Sequence, residues 1–230
     1  MELKYSDRTI FDSDRYTIRL PRTDAEILAL EDLLYECRAF SNPIFLLYKI
    51  EPSTVRAMFS GTRKSQTELG IRFGVYDKKG HSPEDQLCAG FCLQRKEDGF
   101  HYQSEPPEFK SDLRFLRFLK AYYHFQEEMK LHPMFSDEEN SALLHAIGVA
   151  KSHRGKGIAS LIFQASIEYA RDGLECSYME ALMSTPETKH LGRKFGFEVA
   201  LDNRYSSGLI AYALGLKEDW EGTYDLKRLD

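Results

Sequence analysis

The spacing of apolar residues changes repeatedly along this chain, and each change predicts an element. Tyr16–Leu20 (YTIRL) alternates and is rich in β-formers, so a strand is expected there, closed by Pro21. From Thr23 the spacing lengthens. Ile27, Leu30, Leu34 and Cys37 recur at helical intervals behind a Thr23-x-x-Glu26 capping box, which predicts a helix ending near Phe40. Ser41–Pro43 signals a turn, an apolar patch follows, and Glu51–Pro52 opens a second helical segment, because proline suits the first helical position. Ile71–Tyr76 and Leu87–Gln94 predict two antiparallel strands joined by the polar turn DKKGHSPEDQ.

A long helix is expected from roughly Glu108 to Leu131, where Phe118, Tyr122, Phe125 and Met129 fall on one stripe. Such a stripe is far more often core than ligand pocket. Ala142–Ala150 is continuously apolar and predicts a buried strand. Ile158, Leu161, Ile162, Ala165 and Tyr169 then mark a helix face, with Gly173 placed as its C′ glycine. Tyr178–Met183 predicts a strand and Thr185–Phe195 a short helix. Phe197–Leu201 and Gly208–Leu214 predict a closing pair of strands. Early strands meander and later ones cross over through helices, so one α/β (α+β) domain with a mixed sheet is expected over residues 1–230.

Composition narrows the class. The 230 residues include 31 basic and 36 acidic side chains, a net charge of −5, which argues against bulk affinity for nucleic acid or an anionic membrane. Cys37, Cys88, Cys92 and Cys176 show no paired spacing, and the start MELKYSDRTIFDSDRY has no secretory character. A reducing, cytoplasmic setting is therefore expected. Seven scattered histidines make no zinc spacing, so no metal is expected. A monomer is expected.

The chemistry concentrates in KSHRGKGIAS, residues 151–160, directly after the buried strand. A strand running through a glycine turn into a helix gathers backbone N–H groups and a positive helix end at one point, a natural phosphate site. The spacing fails the P-loop, since Gly157 follows Gly155-Lys156 and Ala150 stands where the leading glycine belongs. It fits the dinucleotide fingerprint poorly, with Ser160 in place of the third glycine. A plain surface turn with solvated basic residues also fits. A third ligand pattern, R-x-x-G-x-A, is met by Arg154, Gly157 and Ala159.

That pattern resembles the pyrophosphate loop of the GCN5-related N-acetyltransferases (GNATs). The resemblance continues through Glu180–Leu182 and the helix ending Lys194-Phe195-Gly196-Phe197. It implies a mostly antiparallel sheet flanked by helices, with acetyl-coenzyme A as co-substrate and a small amine as the other partner. Ile147, Gly148, Val149, Arg154, Gly155, Lys156, Gly157, Ile158 and Ala159 would hold the coenzyme. Many relatives carry a tyrosine four residues before the terminal glycine. Gly192 stands there instead. The chain thereby resembles insect-type arylalkylamine N-acetyltransferases, which place hydroxyl residues early in this helix, matched by Ser184 and Thr188. Their glutamate-proline pair, assigned as general base, is matched by Glu51–Pro52.

A base is needed because an alkylamine with pKa near 10 is only about a thousandth unprotonated at neutral pH. Partial burial would suit Glu51 to the task by raising its pKa. The competing reading of Glu51 is a helix-start glutamate favoured by the dipole. Ser184 and Thr188 would return a proton to the thiolate, and either fits a capping role as well, Ser184 best. A backbone N–H on Ile147–Val149 would serve the oxyanion. Other acceptors (a polyamine or a peptide N-terminus), or an acyl-coenzyme A-binding module without turnover, fit the same loop.

Overall fold

The computed structural model describes residues 9–41, 43–61, 71–80, 86–95, 112–118, 120, 141–203 and 209–215. Its frame is an eight-stranded sheet. In chain order the strands are β1 (Thr9–Asp12), β2 (Tyr16–Arg19), β3 (Ile71–Asp77), β4 (Leu87–Arg95), β5 (Ser141–Val149), β6 (Tyr178–Leu182), β7 (Glu198–Asn203) and β8 (Leu209–Gly215), and across the sheet they run β1-β2-β3-β4-β5-β6-β8-β7. Every neighbouring pair is antiparallel except β5 with β6. β1, which the apolar pattern did not reveal, covers the outer edge of β2. The other strands lie within a residue or two of their expected bounds.

Helix α1 (Asp24–Ser41) starts as its capping box requires. Thr23 Oγ1 accepts from the Glu26 amide at 3.2 Å. The return bond is displaced by one residue, because Glu26 accepts from the Arg22 amide while its carboxylate also takes both Nη groups of Arg19 at 2.8 Å. The expected helical face then meets the sheet at two glycines. Gly90 and Gly148 are register partners on β4 and β5. A Cβ on Gly90 would stand 2.1 Å from Leu30 Cδ1, and one on Gly148 would stand 3.0 Å from Cys37 Sγ. Leu30, Leu34 and Cys37 therefore ride on bare backbone, which seats α1 close against the sheet.

The apolar patch becomes helix α2 (Pro43–Tyr48), and α3 (Pro52–Gly61) begins at the expected proline. Of the long helix expected at 108–131, residues 113–118 are helical; the segments 108–111 and 121–131, with Tyr122, Phe125 and Met129, lie outside the described residues. Phe118 packs edge-on against Phe45 and Tyr48, a core role.

On the other face of the sheet, α4 (Ile158–Glu168) lays Ile158, Ile162, Phe163 and Ala165 onto the core. Phe73 stacks on Phe91 and meets Tyr169 edge-on, each large side chain contributing about 1.5–3 kcal/mol by burial. The end of α4 departs from expectation. A single π-turn, Tyr169–Gly173, follows it, and Gly173 is not left-handed; its missing Cβ makes room for the Tyr169 ring, which would otherwise lie 2.5 Å away. Helix α5 (Pro186–Lys194) ends in a Schellman motif: Phe197 N–H reaches the Gly192 carbonyl at 2.9 Å, Gly196 N–H reaches Arg193, and Gly196 takes φ +80°. That geometry is the physical content of the Gly196-Phe197 pair.

Candidate active site

The site begins with a defect in the sheet. β5 and β6 pair only from Ser141 with Tyr178 to Leu144 with Ala181. On the β4 side, Cys92 faces His145 and Gly90 faces Gly148, so Ala146 and Ile147 together oppose Phe91. This is a β-bulge, and Ala146 adopts φ +55° to make it. A bulge bends its strand and strengthens the local twist. It falls where β5 parts from β6, and residues 145–149 are left without a β6 partner.

The resulting groove has a volume of about 660 Å³. Ile147, Gly148 and Val149 line one wall, Ala181, Met183 and Ser184 another. Arg154, Gly155, Gly157, Ile158 and Ala159 close its end. The structure thus brings together all the expected coenzyme residues except Lys156, which is exposed and outside the lining.

The loop reaches α4 by a short 3₁₀ turn, Lys151–His153, and then two left-handed glycines, Gly155 at φ +76° and Gly157 at φ +80°. Neither has an atom within 4 Å of a would-be Cβ, so conformation and open space demand glycine there, and protein packing does not. Gly157 is also the N-cap of α4 and offers no side chain. Among the described residues, the amides of 155–160 donate to no acceptor. Six consecutive N–H groups at the positive end of a helix are thereby without a protein acceptor among the described residues.

The side chains of the loop anchor it. Arg154 folds back, its Nε donating to the Val149 carbonyl at 3.1 Å. His153 lies 3.6 Å from Asp77 at the end of β3, and its Nδ1 stands 3.0 Å from the Ser152 hydroxyl. Burial works against the Asp77 charge, but the Lys79 amide and Arg15 outweigh it and hold this carboxyl below the usual range. The loop thus has side-chain contacts to β3 and β5, while among the described residues its amides from 155 to 160 stay unbonded.

Cys37 was read from the sequence only as part of a helix face, yet it lines the groove with Sγ 3.7 Å from the Val149 carbonyl. Burial pushes its thiol pKa up, and the nearby Arg154 charge opposes this. Nothing in the local spacing signals that position, because it depends on how α1 crosses β5.

Among the hydroxyl candidates, the cap of α5 is Thr185, one residue after the expected Ser184. Thr185 Oγ1 accepts from the Thr188 amide at 3.1 Å and Thr188 Oγ1 accepts from the Thr185 amide at 3.2 Å, a complete capping box. Thr188 lines the groove with its hydroxyl engaged in that box. Ser184 is half-buried on the groove wall and makes no side-chain hydrogen bond among the described residues. Gly192, the position at which the resemblance leads one to expect a tyrosine, is buried: a Cβ there would fall 2.4 Å from Met183 Sδ. A tyrosine would have to displace Met183.

Glu51 lies elsewhere. It sits before α3 beside a second cavity of about 560 Å³, with Ser53, Thr54, Asp112, Arg114 and Arg117. The partial burial expected of a base is not found, since its side chain is 51% exposed and pairs with Arg114 Nη2 at 2.5 Å. Asp112 fixes this pair. Its carboxylate accepts from the Arg114 and Phe115 amides, from the Thr54 hydroxyl at 3.0 Å and from the Glu51 amide at 3.4 Å. Burial raises the Asp112 pKa, but these donors outweigh it and hold the carboxyl below its ordinary range.

Residues 114–197 match the acetyltransferase (GNAT) family model. Among solved structures, the chain is similar to an insect protein named as arylalkylamine N-acetyltransferase 7, from the yellow fever mosquito Aedes aegypti, at TM-score 0.68 and 10% identity over 94% of this chain and 98% of that one. It is similar to an acetyltransferase from Agrobacterium tumefaciens (TM-score 0.52, 12% identity, 93% and 98% covered). It is also similar to mutant forms of the spermidine/spermine N-acetyltransferase SpeG from Vibrio cholerae (TM-score 0.50, 13% identity, 89% and 95% covered). The fold is that of the GNAT acetyltransferases. No curated protein sequence matches the chain. At these identities the GNAT likeness concerns architecture, and no acceptor follows from it. Among the described residues no helix is long and apolar enough to cross a membrane.

Proposed function

We propose that the protein is an acetyl-coenzyme A-dependent N-acetyltransferase acting on a small primary amine of the arylalkyl kind. One observation carries the reading: the groove joins a length of β5 that has no β6 partner to six unbonded amides at the positive end of α4. A diphosphate suits the amides of Gly155 to Ala159. An amide-bearing arm suits the free edge at Ile147–Val149, where it would add as an extra strand. Arg154 shapes the loop, and Lys156 supplies charge from the solvent side. The coenzyme brings an activated thioester carbonyl.

The chain's own residues would then manage protons. Glu51 attracts the ammonium and accepts its proton. Between the two hydroxyls, Ser184 suits proton return to the thiolate better, because Thr188 is spent on the capping box. The arylalkylamine acceptor is supported by the Glu51–Pro52 pair and by Gly192, and the mosquito protein's name points the same way. The Glu51–Arg114 pair favours a second reading, a coenzyme-binding module without turnover, because the arginine occupies the carboxylate.

Calorimetry with acetyl-coenzyme A and a thiol-release assay over a panel of primary amines test both. Binding with thiol release supports the transferase. Binding without release across the panel leaves the module, and no binding ends both readings.

A further inference from the structure

The cavity beside Glu51 has a charge pattern that a simple amine does not satisfy. Two guanidinium groups, Arg114 and Arg117, line it from one helical turn, three residues apart and therefore neighbours on one face. Glu51 is the more open of the two carboxylates that line it, the other being Asp112, whose Oδ1 lies 3.7 Å from Arg114 Nε. The Asp112 carboxylate is already engaged by three amides and the Thr54 hydroxyl. In the resting pocket Arg114 pairs with Glu51 at 2.5 Å. Arg117 is exposed and has no ion-pair partner among the described residues.

An incoming ammonium that takes Glu51 must displace Arg114. With a plain arylalkylamine that exchange leaves Arg114 with Asp112 alone, 3.7 Å from its Nε, and Arg117 with no ion-pair partner among the described residues, so three cations share two carboxylates, an excess of positive charge that opposes binding. A ligand carrying both an ammonium and a carboxylate completes the exchange. Its ammonium replaces Arg114 on Glu51, and its carboxylate takes the released guanidinium together with Arg117 in the forked geometry that arginine favours. A polyamine would bring only more positive charge to the two arginines.

We infer that the acceptor is an amine bearing a carboxylate close to the amino group, an aromatic α-amino acid in place of its decarboxylated counterpart. The inference rests on the transferase reading above and on Glu51 as the amine's partner.

The test is the thiol-release assay on the full chain with acetyl-coenzyme A and matched pairs: tyrosine with tyramine, tryptophan with tryptamine, phenylalanine with phenethylamine. The expected result is a kcat/KM at least about 10-fold higher for the amino acid of each pair. In Arg117→Gln and Arg114→Gln that ratio is expected to fall toward one. The ratio is measured within each variant, so a loss of folded protein cancels from it. Turnover of the decarboxylated amines alone, or a ratio unmoved in both variants, overturns the inference and leaves the transferase standing. Thiol release from neither series, with coenzyme still bound, overturns the inference and the transferase reading together.

Discussion

Replacing Gly157 by alanine separates the loop's conformational role from its binding role. Gly157 sits at φ +80° with nothing within 4 Å of a would-be Cβ. The protein offers no clash, so the cost to the fold is the left-handed backbone alone, about 1–2 kcal/mol for an L-residue. In a chain of this size that lowers Tm by about 2–8 °C. Binding should suffer more. If the backbone relaxes to negative φ, the amides of Gly157 and Ile158 turn away from the groove. Each hydrogen bond lost to a charged phosphate is worth about 1.5–3 kcal/mol, or roughly 10- to 150-fold in Kd. The assays are thermal unfolding without ligand and calorimetry with acetyl-coenzyme A. A variant that melts a few degrees lower yet binds the coenzyme as tightly as wild type would refute the reasoning, because the amides would then not hold the diphosphate.

Other consequences follow from individual contacts. Glu51→Gln should lower kcat by about 100-fold or more while coenzyme affinity stays as in wild type; unchanged turnover at neutral pH removes Glu51 from the mechanism. Thr185→Ala opens the α5 capping box and should cost about 1 kcal/mol, read as a lower midpoint in urea with the slope unchanged. Glu26 has its pKa lowered chiefly by its bonds to Arg19, with burial opposing and the Arg22 amide assisting. A depressed carboxyl stabilises the fold fully above its unfolded value, about 4.3, and that stabilisation is lost as pH falls through the lower folded value. Glu26→Gln should accordingly flatten the fall in Tm between about pH 5 and pH 3, and equal slopes in the two proteins would contradict the assignment.

The same contacts show which information is local. The Thr23 box and the Pro52 start bind groups within a few residues of each other, and so does the Gly196 terminus, so sequence spacing suffices to place them. The turn from Lys151 to Ala159 was legible for the same reason: two glycines before a helix face mark a left-handed turn at the start of α4. Ser184 and Thr185 mark the limit, since either hydroxyl suits a cap one residue apart and only the helix's actual phase chooses Thr185. Gly173 was misread because its role is to clear the Tyr169 ring, a matter of side-chain packing that a C′ rule does not consider.

The sequence by itself therefore determined the described strands other than β1, the helices α1, α3, α4 and α5, and the place of the glycine turn between β5 and α4, because each depends on periodicity or on groups a few bonds apart. Tertiary structure decided the rest. The groove exists because a bulge at Ala146 opposes one residue of β4 with two of β5, and a register between strands is fixed only when both are present. Cys37 reaches that groove because Gly90 and Gly148 meet across the two strands and admit α1. Glu51 meets Arg114 across 63 residues of chain, held by an aspartate whose partners lie on two elements. Such contacts bring together groups that the chain separates, so no local pattern encodes them.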